Sequence, residues 1–122
     1  MTYLDTETPL TARTNDDFII DVALPFPIST SIPKMKLMNY SDTEIDCSQY
    51  IIIDSENSFK IDIKADDVLT LSADVLGGDS SIGFGYTQCN YNVYLDLGQG
   101  SKNFLFGGVL TIQEGISWVM LL

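Results

Sequence analysis

Ser58-Phe59-Lys60-Ile61-Asp62-Ile63-Lys64 alternates apolar and charged residues without a break. Successive side chains of an extended strand point to opposite faces. The pattern therefore puts Phe59, Ile61 and Ile63 on a buried face and Lys60, Asp62 and Lys64 in solvent. A helix would scatter the same apolar residues around its circumference. Upstream, Asp17-Phe18-Ile19-Ile20-Asp21-Val22-Ala23-Leu24 reads the same way, with Phe18, Ile20, Val22 and Leu24 inward, and it stops at Pro25-Phe26-Pro27. Lys34-Met35-Lys36-Leu37-Met38-Asn39 alternates cations with apolar residues, so Met35 and Leu37 should face a core. Gln49-Tyr50-Ile51-Ile52-Ile53 is a continuous apolar run, as in a buried strand, and Asp54-Ser55-Glu56-Asn57 is the turn after it.

Downstream of the deciding stretch, Ala65-Asp66-Asp67-Val68-Leu69-Thr70-Leu71 changes character. Asp66 or Asp67 is expected to cap one helical turn, with Val68, Leu69 and Leu71 plugging an end of the core. No stretch of ten or more residues reads as an amphipathic helix. A loop rich in Gly, Asp and Ser follows through Gly77-Gly78-Asp79-Ser80-Ser81. Asn90-Tyr91-Asn92-Val93-Tyr94-Leu95-Asp96-Leu97 alternates again, placing Tyr91, Val93, Leu95 and Leu97 inward. Gly98-Gln99-Gly100-Ser101 turns this strand into Asn103-Phe104-Leu105-Phe106, a hairpin. Gly107-Gly108 marks a bulge or tight bend before Val109-Leu110-Thr111-Ile112. All four prolines fall in the first 33 residues, so that third should hold short strands broken by extended connections. The sum is six to eight short strands and at most one helical turn. We expect an all-β, antiparallel, immunoglobulin-like sandwich forming a single domain over residues 1–122.

At 122 residues the chain buries roughly two-thirds of its unfolded surface, enough for one core. Six Lys and Arg stand against 17 Asp and Glu, a net charge of −11. Phosphate contacts need clustered cations, and Arg13, Lys34, Lys36, Lys60, Lys64 and Lys102 are scattered along the sequence. Neither nucleic acid nor a membrane is an expected partner. The acidity reads either as a solubilising surface or as a DNA mimic that occupies a basic site on another protein. No window approaches the ~20 apolar residues of a membrane span, and Met1-Thr2-Tyr3-Leu4-Asp5-Thr6-Glu7 lacks a basic and apolar leader, so synthesis and retention in the cytoplasm is expected. Cys47 and Cys89 form no C-x-x-C and read as reduced thiols, although neighbouring strands could bring them together.

Residues suited to catalysis are scarce. The chain has no histidine, which removes the Ser–His and Cys–His pairs and the commonest metal ligand. No P-loop, dinucleotide fingerprint or G-x-S-x-G elbow occurs, and Gly83-Phe84-Gly85 lacks the third glycine and the helix such a motif needs. Asp66, Asp67, Asp74 and Asp79 could in principle converge on calcium, but their spacing is not that of an EF-hand. Acids of this kind are usually solvated or cap helices. A glycosidase would need a cleft that a small sandwich has little room for. Tyr86, Tyr94 and Trp118 are the only hint of an aromatic platform for a carbohydrate-binding module or small hydrolase. We therefore assign no catalytic residue, no cofactor and no metal, and expect a protein that is not an enzyme.

The C-terminal Ile116-Ser117-Trp118-Val119-Met120-Leu121-Leu122 carries the only Trp. Such a segment either completes the domain's own sheet or packs against another subunit. Trp118, Val119, Met120, Leu121 and Leu122 are accordingly the candidate partner-binding residues.

The layout resembles small β-sandwich proteins of tailed bacteriophages and prophages, similar to the N-terminal domain of phage baseplate upper proteins. The residues that carry the resemblance begin with Asn15-Asp16-Asp17-Phe18 and continue with Phe59 to Asp67, an alternating strand entering an acidic helical turn. Tyr91-Asn92-Val93-Tyr94-Leu95-Asp96-Leu97 and Gly108-Val109-Leu110-Thr111-Ile112 complete it. It covers roughly residues 11–118, and the missing glycine at the first step and the long loop after Leu76 depart from it. The resemblance implies a virion structural protein of tail, baseplate or capsid, with other virion proteins or further copies of itself as partners. The different expectation, drawn from the acidity, is an inhibitor that blocks a basic host protein such as a nuclease.

Overall fold

In the computed structural model, described over residues 8–14, 16–39, 43–75 and 86–113, the deciding stretch is the central strand of a three-stranded sheet. That strand is β6 (Ser58–Ile63), flanked by β2 (Phe18–Ala23) and β5 (Ile51–Ser55), both antiparallel to it. A second sheet has five strands: β1 (Leu10–Arg13), β8 (Ser101–Gln113), β7 (Tyr86–Gly98), β3 (Ile32–Met38) and β4 (Glu44–Asp46), in that spatial order. The inward residues of both sheets share one core, and the architecture is an all-β sandwich. Every pairing is antiparallel except β1 with β8, which run parallel from Leu10–Leu110 to Arg13–Gln113.

Alternation sets the core. Phe59, Ile61 and Ile63 are buried, as are Phe18, Val22, Leu24, Met35 and Leu37, while Ile20 is partly buried against them. Tyr91, Val93 and Leu95 enter the core from β7, and Leu110 and Ile112 from β8. Pro33 lies within β3, where its lack of an N–H does no harm. Met35, of the same parity, turns its carbonyl to the Cys47 N–H (2.9 Å) and its N–H to Ser48 Oγ (3.1 Å), away from β7. The missing Pro33 donor would point the same way, beyond the reach of β4, whose pairing begins only at Lys36. The connection after Pro25-Phe26-Pro27 is tied to the β5–β6 turn. Leu24 and Ile28 N–H groups donate to the Asn57 and Glu56 carbonyls (2.8 and 2.6 Å), and Asn57 Nδ2 donates to the Leu24 carbonyl (3.2 Å).

Four sequence expectations need correction. The run ending Ile51-Ile52-Ile53 is not a buried strand: residues Ser48–Tyr50 form a 3-10 turn, and β5 is an edge strand with Ile52 46% and Ile53 56% exposed. A continuous apolar run does not reveal how many neighbours a strand has, and here only β6 pairs with it. The expected single helical turn is a helix of 11 residues, α1 (Ala65–Val75). Only Val68 and Leu71 are seen to bury from it, too narrow a stripe to register as periodicity, and Leu69 points to solvent. Its start is set by partners distant in sequence: Asp17 Oδ1 accepts the Ala65 N–H (2.9 Å), while Asp66 and Asp67 sit at its electropositive end rather than at the cap. Leu97 is exposed, because the β7–β8 hairpin runs on beyond the core.

The fourth correction concerns the glycine pair. The hairpin has two register shifts, one between Val93 and Tyr94 with Leu105 the extra residue on β8 and one between Asp96 and Gly98 with Leu97 the extra residue on β7, and neither is at Gly107-Gly108. The glycines serve close approach instead. A Cβ on Gly107 would stand 2.6 Å from the Tyr91 carbonyl and 2.7 Å from Asn92 Oδ1, and one on Gly108 would stand 2.9 Å from the Thr8 carbonyl. Thr8 reaches this spot by donating its N–H to the Gly107 carbonyl (2.8 Å), and the Tyr91 hydroxyl donates to the Thr8 carbonyl. Cys47 and Cys89 are both buried thiols, on opposite sides of β3 in the sheet.

Gly107→Ala should therefore destabilise the protein by about 1–3 kcal/mol, the usual penalty of overpacking, read as a lowered urea midpoint at unchanged slope. Burial also pushes the Cys89 thiol up to about 11 and the Tyr91 phenol up to about 12. Groups whose folded pKa is raised contribute stability that is complete below the unfolded value and lost as pH rises through the folded one. Unfolding free energy should thus hold steady to about pH 9 and fall between pH 9 and 12. Neither thiol should react with a disulfide reagent at pH 8 until the protein is unfolded.

Candidate functional site

The outer face of the five-stranded sheet gathers residues that lie far apart in sequence. Alternation turns Lys34, Lys36 and Met38 outward on β3, where they stand opposite Tyr94, Asn92 and Asn90 of β7. The hairpin continues this face onto β8, pairing Tyr94 with Phe104, Asn90 with Val109 and Gln88 with Thr111. The bulge at Leu105 is what permits this. By adding one residue to β8 it sends Phe106 inward opposite Val93, against the Tyr91 ring at 6.0 Å, while keeping Phe104 outward opposite Tyr94.

Tyr94 is the centre of the face. Lys102 Nζ sits 5.0 Å from its ring centroid, a cation–π contact. Lys34 is its cross-strand neighbour. Lys36, Glu44, Asn92, Tyr94, Lys102 and Phe104 line a shallow depression of about 290 Å³. A smaller one of about 190 Å³ lies farther along the sheet among Met38, Asn39, Gln88, Cys89, Asn90 and Val109. Tyr94 points outward yet is only 9% exposed, so it is no open platform for stacking a sugar ring.

The charges on this face are also arranged. Three of the chain's six basic residues, Lys34, Lys36 and Lys102, meet around Tyr94. Three acids share the face: Glu44 lines the same depression as Lys36 and Lys102, and Asp96 is paired across the hairpin with Lys102. Asp46, on the edge strand β4, is 3.8 Å from Lys36, and Asp96 Oδ1 accepts the Gly98 N–H (2.9 Å). Hydrogen bonds from Ser48 hold the Asp46 carboxyl below its ordinary range, helped by Lys36 and Lys34.

The outer face of the three-stranded sheet has the opposite character. Ile19, Asp21 and Ala23 of β2 lie opposite Asp62, Lys60 and Ser58 of β6, and Ile52 of β5 lies on the other side of Lys60. Asp62 has one oxygen 3.3 Å from Lys64 Nζ, and its other oxygen is buried without a hydrogen-bond partner among the described residues. Asp54 and Glu56 extend the acidity at the β5–β6 end.

The candidate partner-binding residues Trp118, Val119, Met120, Leu121 and Leu122 lie outside the described residues, as do Asp79 and the side chains of Tyr86 and Asp74. Asp66 and Asp67 belong to the start of α1. The sequence reading treated the lysines as scattered, and their convergence is a correction to it. Its signal was partly visible, since Lys34 and Lys36 share a strand face. Lys102 joins them only through the hairpin register.

No family model and no curated protein matches the chain. Among solved structures, it is similar to the N-terminal domain of phage TP901-1 ORF48, with 10% identity, 94% of this chain and 92% of that chain covered, and a TM-score of 0.44. At that identity and score the likeness carries no functional weight.

Asp46→Asn tests the electrostatics of the face. A lowered carboxylate pKa contributes stability above the unfolded value and loses it as pH falls through the folded one. The substitution should cost less than about 1 kcal/mol at pH 7, because the pair is solvent-screened. The difference from the parent should close as pH drops below 3.8, measured by urea unfolding across the acid range.

Proposed function

We propose that this chain is a non-enzymatic structural protein of a phage or prophage particle, a tail or baseplate component or a capsid decoration. In this reading it acts by protein–protein assembly with other virion proteins or with itself, is made in the host cytoplasm and resides in the virion. The observation that carries the assembly reading is the outer face of the five-stranded sheet. It is broad, and it sets Tyr94, Phe104, Met38 and Val109 among amides and lysines, with depressions no larger than the low end of small-ligand pockets. Aromatic and methionine side chains ringed by polar groups suit a protein partner. The phage assignment is supported by the sequence resemblance, whose later motifs fall on β6 leading into α1, on β7 and on β8.

The inhibitor reading is favoured by one feature, the acidic outer face of the three-stranded sheet with its underused Asp62 carboxylate. The two readings part in one experiment. Particles induced from the bacterial host and banded on a density gradient should yield peptides of this chain by mass spectrometry, at a constant ratio to the tail proteins across the band. Peptides confined to the soluble lysate, together with inhibition of a host nuclease by the purified chain, would overturn the structural assignment.

A further inference from the structure

We infer that the free edge of β1 is covered by the chain's own C-terminal segment, with Trp118–Leu122 running antiparallel to Leu10–Arg13 as a further strand. Of the two roles the sequence leaves open for these residues, this selects completion of the domain's own sheet.

Hydrogen bonds define the edge. Alternate residues of a strand turn their N–H and C=O groups to opposite sides. The N–H groups of Thr8 and Thr14 donate to the Gly107 and Gln113 carbonyls (2.8 and 2.9 Å), so the even positions of β1 face β8. Thr11 and Arg13 therefore direct their backbone groups away from β8, where β1 has no neighbour among the described residues. The Arg13 carbonyl accepts the Asp16 N–H (3.1 Å), and Pro9 has no N–H to offer. What remains is a short row: the Pro9 carbonyl, both groups of Thr11 and the Arg13 N–H. An extended backbone is the shape that matches such a row. The core is thin at the same place. β1 and β2 are each the end strand of a sheet and are joined by residues 14–17, so both border one side of the sandwich. Their inward residues there, Leu10 and Ile20, are only partly buried.

Reach and composition name the occupant. β8 ends at Gln113, level with Arg13, and residues 114–122 follow it in the sequence. Strands lie about 4.8 Å apart, so the far side of β1 is about 10 Å from β8. Glu114, Gly115 and Ile116, extended at roughly 3.3 Å each, cover that distance. Ser117 then comes level with Arg13, and Val119 with Thr11. The open edge of β4 lies beyond β7 and β3, and those of β2 and β5 belong to the other sheet. In this register Trp118 and Met120 fall beside Ala12 and Leu10 and share their inward parity, where they cover Leu10 and Ile20. Val119 exchanges both backbone hydrogen bonds with Thr11. Gly115 to Leu122 carries no charged side chain, so the acidity of the chain does not oppose the contact.

Disulfide trapping in the full chain tests the pairing. Opposite residues that exchange both hydrogen bonds have Cα atoms about 5.5 Å apart, within the range a disulfide spans. Thr11→Cys with Val119→Cys should therefore link within one chain on mild oxidation. The unfolded product should then titrate only the thiols of Cys47 and Cys89. Thr11→Cys with Met120→Cys, of the opposite parity, should leave the introduced thiols free as well. Trp118 supplies a readout that needs no substitution, since it is the only tryptophan. Its emission should be blue-shifted from that of the unfolded chain and shielded from iodide. Failure of Thr11→Cys to link with Ser117→Cys, Val119→Cys or Leu121→Cys overturns the inference. So does linkage found only between two chains, as a dimer on a non-reducing gel, or Trp118 emission as red in the folded protein as in the unfolded one. None of these readouts depends on whether the chain joins a particle.

Discussion

A phenol buried in an apolar core must find an acceptor, and the five-stranded sheet is organised around how Tyr91 does so. Leaving a buried hydroxyl unpaired costs about 1–3 kcal/mol, a sizeable share of a small domain's stability. The acceptor is the carbonyl of Thr8, which continues the line of β1 on the other side of β8, so the phenol must reach past β8 at Gly108. Thr8 lies so close to β8 there that only a residue without a Cβ, Gly108, leaves it room. Phe106, next to the bulge at Leu105, packs edge-on against the same ring. One hydrogen bond thus links β7 to the start of β1 past β8, and with it the need for glycine at Gly108.

The bulge has an effect on the far side of the sheet. Without the extra residue, Phe104 would take the parity of the core and Tyr94 would lose its cross-strand neighbour. The bulge thus lets Phe106 face the core while Phe104 joins Tyr94 on the outer face. Core and surface are coupled here through strand register rather than through any side chain that touches both.

How far the sequence carries is best seen strand by strand. Where apolar and polar residues alternate, as in β2, β3, β6 and the middle of β7, inward and outward residues could be read directly, because the period of a strand leaves no second answer. The edge position of β5 could not be read, since Ile51-Ile52-Ile53 states a preference for burial and not the number of neighbours present to satisfy it. The length of α1 was hidden too: Val68 and Leu71 make a stripe only one turn long, and the group that receives its first N–H is Asp17, 48 positions away. The site was half legible. Lys34 and Lys36 announce an outward cationic strand, but Lys102 and Tyr94 meet only once the hairpin and its bulge are known.

The parallel pairing of β1 with β8 has a mechanical consequence. These are the first and last strands described, they are neighbours, and they run in the same direction. Tension that pulls the leading end of β1 away from the trailing end of β8 acts along both strands at once. The rungs from Leu10–Leu110 to Arg13–Gln113 then share the load in shear and must give way together. Antiparallel terminal strands would instead peel apart one rung at a time. A sandwich strung this way resists stretching along its chain far better than its modest size suggests.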